Sequence, residues 1–181
     1  MPRTAQIDRA TVLRATLALA DEQGLAAVSM RAVATRVGVT PMALYRHVGD
    51  KSQLLDGVVE QLLTELPVPD DALPWRERLS AMGAATRETA RRHPDVFPLL
   101  LQRPAATPGA RRMRESLYQA LRDAGVPEAE VPQVERLVST MVLGFAASEA
   151  AGRFTASPEQ VDADFRRLED LVTTLLPGGR E

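Results

Sequence analysis

Apolar positions recur at helical spacing along nearly the whole chain, and no stretch alternates as a half-buried strand would. Val12, Leu13, Thr16, Leu17 and Ala20 mark one face of a first helix over about Asp8 to Gln23, closed by Gly24. A second begins after Ser29, a favoured N-cap, carries Val33, Ala34 and Val37 on one face, and ends at Gly38. Thr40-Pro41 sets an N-cap and an N1 proline at the head of a short third helix, which Gly49-Asp50 interrupts. Asp50 and Gln53 form a variant capping box for a fourth helix. It runs to about Leu66 with Leu54, Leu55, Val58, Val59, Leu62 and Leu63 on its apolar face.

Pro67 to Pro74 reads as a linker. Five more helices follow: about Trp75 to Arg92, a short one between Pro94 and Arg103, Pro108 to Ala124, Glu128 to Gly152, and Ser157 to Leu176. The last opens on an N-cap serine, an N1 proline and a glutamine at N3, the elements of a capping box. The pattern predicts an all-α chain with a small three-helix domain over residues 1–50 and a larger helical bundle over 51–181.

Within the first domain, Ser29 to Val48 is a helix of about two turns, a turn centred on Gly38, and a second short helix. This is a helix-turn-helix. Ala34, Val37, Val39 and Leu44 are spaced to pack both helices on the first one, leaving Thr40, Met42, Ala43, Tyr45, Arg46 and His47 at the turn and outer face. Such a helix fits the major groove of double-stranded DNA, with its N-terminal residues nearest the base edges. Arg46 suits a guanine edge or a phosphate, and the Thr40 and Tyr45 hydroxyls and His47 suit phosphate oxygens. Met42 and Ala43 suit thymine methyls. Lys51 stands at a helix N-terminus, where backbone N–H groups assist an anion. Ser29 and Arg31, at the start of the second helix, complete the candidate interface.

Charge supports this reading. Net charge is −2, yet residues 1–51 hold seven Lys and Arg against four Asp and Glu, and the rest of the chain is acidic. Lys51 is the only lysine beside twenty-one arginines, a bias that codon composition explains. Cysteine is absent, which suits a cytoplasmic setting and removes disulfides and thiolate chemistry. No secretory signal and no apolar run of the roughly 18 residues needed to span a bilayer is present. With two histidines and no zinc-protease, P-loop or dinucleotide motif, the chain does not read as an enzyme, and no cofactor or metal site is expected.

The segment VGVTPMALYRHVGDKSQLLDGV, Val37 to Val58, resembles the signature of the tetracycline-repressor (TetR) family; Gly38, Leu44, Tyr45, His47, Val48, Lys51, Leu54 and Leu55 sit at its spacing, and Gly24 and Arg31 also match. The resemblance implies an all-helical homodimeric regulator, a repressor by default, whose first three helices bind a palindromic operator. The last two long helices, about Glu128–Gly152 and Ser157–Leu176, would form the dimer interface. Both are apolar on more than one face and so must bury more than one face. A small-molecule effector would sit among the core helices. Candidates to line its site are Met82, Thr86, Phe97, Leu101, Met113, Leu117, Tyr118, Met141, Phe145 and Ser148, which suggest a largely apolar ligand. The family's namesake grips magnesium–tetracycline with core histidines. Pro67 and Leu99 stand near those positions here, and His93 reads as a capping or surface residue, so that ligand is not expected. A closed, fully packed core would instead mark a DNA-binding protein without an effector.

Overall fold

The computed structural model describes residues 7–103 and 107–179. Among these residues the regular structure is helical throughout: α1 (Arg9–Gln23), α2 (Met30–Val37), α3 (Pro41–Val48), α4 (Lys51–Glu65), α5 (Trp75–Arg92), α6 (Leu99–Gln102), α7 (Pro108–Asp123), α8 (Val131–Ala150) and α9 (Pro158–Leu175), with single 3-10 turns at Leu25–Ala27 and Pro177–Gly179. No helix is long and apolar enough to cross a membrane among the described residues.

Side-chain caps set the helix starts, the expected ones at Ser29, Thr40 and Ser157 together with Asp8 and Thr107. Side-chain oxygens of Asp8, Ser29, Thr40, Thr107 and Ser157 each accept the backbone N–H three residues on. Asp50 and Gln53 close a reciprocal box, with Gln53 N–H donating to Asp50 Oδ1 at 2.9 Å and Asp50 N–H donating to Gln53 Oε1 at 3.3 Å. At α9 the box is half made: Gln160 N–H meets Ser157 Oγ, but the Gln160 amide turns forward to Asp164, 2.9 Å away. The eighth helix starts at Val131 rather than Glu128, because Pro127 to Glu130 close a turn of their own (Glu130 N–H to Pro127 C=O, 2.8 Å). The Pro67–Pro74 segment is likewise ordered, with Asp70 accepting the Ala72 and Leu73 N–H groups.

The chain divides into two compact units. The first holds residues up to Leu62 together with Asp95–Pro104. Its core is the set the apolar pattern selects: Val12, Leu13, Leu17, Val33, Ala34, Leu44, Val48, Leu54 and Val58 are all buried. Gly57 has a packing role that a glycine within a helix does not advertise. A Cβ there would fall 2.6 Å from Leu13 Cδ2, so the glycine is what lets α4 lie this close to α1. The same unit contains Val96, Phe97 and Leu99, all buried.

The second unit, Leu63–Pro94 and Ala105–Glu181, is a bundle of α5, α7, α8 and α9. One end is an apolar cluster of Leu121, Ala124, Val126, Val131 and Leu176, with Trp75, Leu117, Tyr118 and Val134 packed on it. Arg78, almost wholly buried, reaches Asp123 on α7 and Asp71 in the linker, which ties that segment to the bundle. His93 caps the C-terminus of α5, its N–H donating to Thr89 C=O at 3.0 Å, but it is buried rather than on the surface.

A second charge cluster joins three helices. Arg87 of α5 grips Glu149 of α8 in a fork of 2.6 and 2.7 Å and Asp162 of α9 at 2.7 Å, and Arg91 adds bonds of 2.7 and 2.9 Å to the same carboxylates. The Arg87 guanidinium also lies 4.8 Å from the Phe165 ring centre. Burial pushes the Glu149 carboxyl up, but the hydrogen bonds from Arg87 and Arg91 outweigh it and the net shift is downward. Asp162 is held low by Arg91 and then Arg87.

Removing one partner of a mostly buried pair strands the other. Glu149→Ala is therefore expected to lower stability by about 3 kcal/mol in urea unfolding, the low end for such a loss because Asp162 still meets Arg87. Carboxylates with depressed folded pKa values contribute stability above their unfolded values, near 4, and lose it as pH falls through the folded ones. The network's contribution is thus expected to be full above about pH 5 and to fade below about pH 4, and Glu149→Ala should shrink that acid-side decline.

Candidate nucleic-acid interface and small-molecule cavity

The turn between α2 and α3 is built by Gly38. Its φ of 73° and ψ of 33° are left-handed. Its N–H donates to Thr35 C=O at 3.2 Å and that of Val39 to Ala34 C=O at 2.9 Å, the two bonds of a Schellman motif. Val39 then delivers Thr40 to its capping position, 3.2 Å from the Ala43 N–H, and Pro41 opens α3. A bidentate bond from Arg36 to Glu22, 2.7 and 2.5 Å, ties α2 to the end of α1.

This geometry sorts the residues of α3 by face. Leu44 and Val48 are buried. Thr40, Arg46 and His47 are exposed, Ala43 is partly so, and Met42 and Tyr45 are 71% and 47% exposed despite their apolar bodies. Lys51, the first residue of α4, is exposed, as are Ser29 and Arg31 at the start of α2. The nine candidate contact residues therefore lie in one compact unit with side chains available to a partner. A bare Met and a bare Tyr on a helix that buries its opposite face point to a surface built to be covered.

The second unit contains a cavity of about 250 Å³. Its wall is mostly apolar, from Leu79 and Met82 on α5, Met113 and Leu117 on α7, Val138 and Val142 on α8, and Leu168 and Val172 on α9, with Leu63 from the last turn of α4 and Leu66 just after it. The polar residues in its wall include Ser80, Thr86, Arg114, Ser139 and two acids, Glu135 and Glu169. The Thr86 hydroxyl is committed to Met82 C=O at 2.7 Å. Among the described residues no group of three His, Cys, Asp or Glu is placed to hold a metal ion.

Of the residues expected to line a pocket, Met82, Thr86, Met113 and Leu117 do so. The others lie outside its wall. Phe97 is fully buried and Leu101 is 49% exposed, both in the first unit. Tyr118 packs on the apolar cluster at the end of the bundle. Met141 and Ser148 share an α8 phase turned away from Val138 and Val142, and Met141 is 39% exposed. Phe145 has the inward phase but sits a turn further on, with its ring centre 5.3 Å from that of Phe165 and 5.0 Å from that of Phe154. Apolar type alone cannot separate these phases. Glu135 and Glu169 were not anticipated, since a glutamate on a helix ordinarily reads as a solvated face.

Comparison with known proteins finds family matches in both parts of the chain. Residues 12–58 match the family described as bacterial regulatory proteins, tetR family, and residues 79–172 match one described as tetracyclin repressor-like, C-terminal domain. The HTH-type transcriptional repressor DrrR1 of Streptomyces coeruleorubidus is 32% identical over 98% of this chain and 66% of its own length. The chain thus spans slightly less than two thirds of that curated relative. The apo structure of ActR from Streptomyces coelicolor is similar with a TM-score of 0.81 at 25% identity, covering 98% of this chain and 100% of that one. BioQ, solved with its double-stranded DNA operator, gives a TM-score of 0.77 at 30% identity, over 92% of this chain and 98% of that one.

The left-handed turn supplies a local test. A Cβ at Gly38 meets no atom within 4 Å, so Gly38→Ala should cost only its conformational strain, about 1–2 kcal/mol in denaturant unfolding. A larger loss would mean that packing as well as φ requires the glycine.

Proposed function

Because this chain belongs to the tetR family of bacterial regulatory proteins, we propose that it is a cytoplasmic, homodimeric repressor that grips a palindromic operator with α3 and lets go when a small, largely apolar effector fills the cavity of the bundle. The observation that carries the reading is the pairing of a bare, aromatic and cationic α3 with an apolar cavity in the same chain. The operator complex of BioQ and the repressor DrrR1 support it.

On this reading residues 1–50 are the DNA-binding domain and 51–181 the effector and dimerisation domain. Arg46 reads a guanine edge or braces a phosphate, and Met42 and Ala43 touch thymine methyls. Thr40, Tyr45, His47 and Lys51 fix register on the phosphates, with Ser29 and Arg31 at the flank. A link from effector to DNA is supplied by α4. Its last turn and the residue after it, Leu63 and Leu66, face the cavity; its middle lies on α1 at Gly57; its first residue is Lys51. An effector that fits one position of α4 better than the other shifts the equilibrium by that difference in affinity.

The dimer is assigned to the outward stripes of α8 and α9. Leu137, Met141, Leu171 and Leu175 are 59%, 39%, 43% and 67% exposed. Gly144, in line with the first two, has open space where a Cβ would stand, room for a neighbouring helix to approach.

Two experiments test these assignments. Tyr45→Ala and Arg46→Ala should each weaken binding to the palindrome upstream of the chain's own gene by roughly tenfold or more in gel shifts, with wild-type binding falling steeply as salt rises. Unchanged affinity in both variants removes α3 from the interface. Leu137→Glu combined with Leu171→Glu should convert the dimer to a folded monomer in analytical ultracentrifugation, because each leucine buried in an interface contributes about 1.5–3 kcal/mol and a buried carboxylate reverses the sign. A dimer that survives the double change lies on another face.

A further inference from the structure

The cavity is not uniformly apolar: its wall includes two acids and one base, and the base already has a partner. Glu135 from α8 and Glu169 from α9 both reach its wall, and among the described residues neither carboxylate has a cationic partner within ion-pair distance. Three arginines of this unit are committed to other acids, Arg87 and Arg91 to Glu149 and Asp162, and Arg78 to Asp123 and Asp71, while Arg87 and Arg166 act on the Glu169 carboxyl only through their charge, without an ion-pair contact. Arg114, the cation in the same wall, is itself already partnered.

Glu169 is the more telling of the two. Its only side-chain hydrogen bond among the described residues is accepted from the Ser80 hydroxyl at 3.1 Å. A neutral hydroxyl leaves most of a carboxylate's acceptor capacity open. The carboxylate lies against α5 at Gly83, where an added Cβ would come within 3.3 Å of Glu169 Oε1 and 3.5 Å of the Phe165 ring. Any larger residue at Gly83 would press on this carboxylate. The surroundings act on its proton too: burial, with the charge of Asp170, pushes the Glu169 carboxyl up, and the Ser80 bond and the more distant charges of Arg87 and Arg166 only partly offset it. An acid in this position is one whose charged form has no cation in direct contact among the described residues.

A bare carboxylate on the wall of an apolar cavity is a standing cost that a ligand can remove. A neutral apolar ligand would deepen the desolvation of Glu169 and leave it unpaired. A ligand carrying a protonated amine would meet it with a charge-assisted hydrogen bond while its hydrocarbon body fills the space among Met82, Met113, Val142 and Leu168. We propose that the effector is a cationic amphiphile, an apolar body bearing a protonated amine, whose ammonium is received by Glu169 with Glu135 as the second carboxylate. This rests on the reading of the cavity as the effector site, and it narrows a largely apolar ligand to one of defined charge.

The test is a matched pair of probes on the dimer of this chain, octylamine and octan-1-ol, titrated calorimetrically into wild type, Glu169→Gln, Glu135→Gln and a cavity-filling Met113→Trp. The expected result is octylamine binding at least about tenfold tighter than octanol, the ratio for one hydrogen bond to a charged group. Glu169→Gln should abolish most of that preference, with the octylamine and octanol affinities converging; octanol binding that remains measurable shows that the variant is folded. Glu135→Gln should reduce the preference by a smaller factor, and Met113→Trp should weaken both probes. Equal binding of the two probes, or a preference that survives Glu169→Gln, overturns the inference and leaves the apolar sensor reading standing. Binding of neither probe to wild type overturns both. Amine binding that persists undiminished in Met113→Trp places the amine elsewhere and overturns the assignment to this cavity.

Discussion

An eight-residue helix cannot persist in water on its own hydrogen bonds, because nucleating a turn costs more than two turns return. Helix α3 exists only because Leu44 and Val48 are buried and because both of its ends are closed, by Thr40 at one and by the Gly49 N–H bonded to Tyr45 C=O at the other. The proposed recognition surface depends on that arrangement. Two buried side chains fix the rotation of the helix, and rotation fixes that Met42, Tyr45 and Arg46 face outward. The Schellman turn at Gly38 and the capping box at Asp50 and Gln53 extend the constraint to either side.

The bundle solves a different problem. Helices α8 and α9 have to satisfy a packed interior, an internal cavity and an outward apolar stripe at once, and they do so by phase. Val138 and Val142 turn inward, while Leu137 and Met141 turn out. A cavity forgoes the dispersion contacts that a filled core would make, so the surrounding helices need other ties. The Arg87–Glu149–Asp162 network and the buried Arg78 supply them, linking α5 to α8 and α9 at one level and to α7 and the linker at another. Specific charge pairing of this kind also holds the helices in one register, which a slippery apolar wall does not. Glu169 and Glu135 depart from that scheme, acids at the cavity wall with no ion pair among the described residues.

The two halves of the chain were unequally legible. Local chemistry decides the first. Caps act over three residues, a left-handed turn needs its glycine in place, and a helix face follows from spacing of three and four, so Ser29, Gly38, Thr40, Leu44 and Asp50 could each be read where they stand. Helix α4 was equally plain, but the reason for Gly57 was not, since it lies in the approach of α1 from far along the chain. In the second half the same periodicity found the helices but could not rank their apolar faces. Met82 and Met141 are alike as residues, and only the packing of four helices makes one a cavity wall and the other an exposed stripe.

What the sequence by itself determined is therefore the helical fold, the helix-turn-helix and its outward residues, because these rest on interactions between neighbours in the chain. The tertiary structure alone decided which side chains surround the cavity, that Phe145 belongs to an aromatic cluster and Phe97 to the other compact unit, and that Arg87 meets two acids 62 and 75 residues away. Those contacts join helices distant in sequence, and their partners are chosen by how whole helices rotate and cross, a choice that no local pattern of hydrophobic and polar residues encodes.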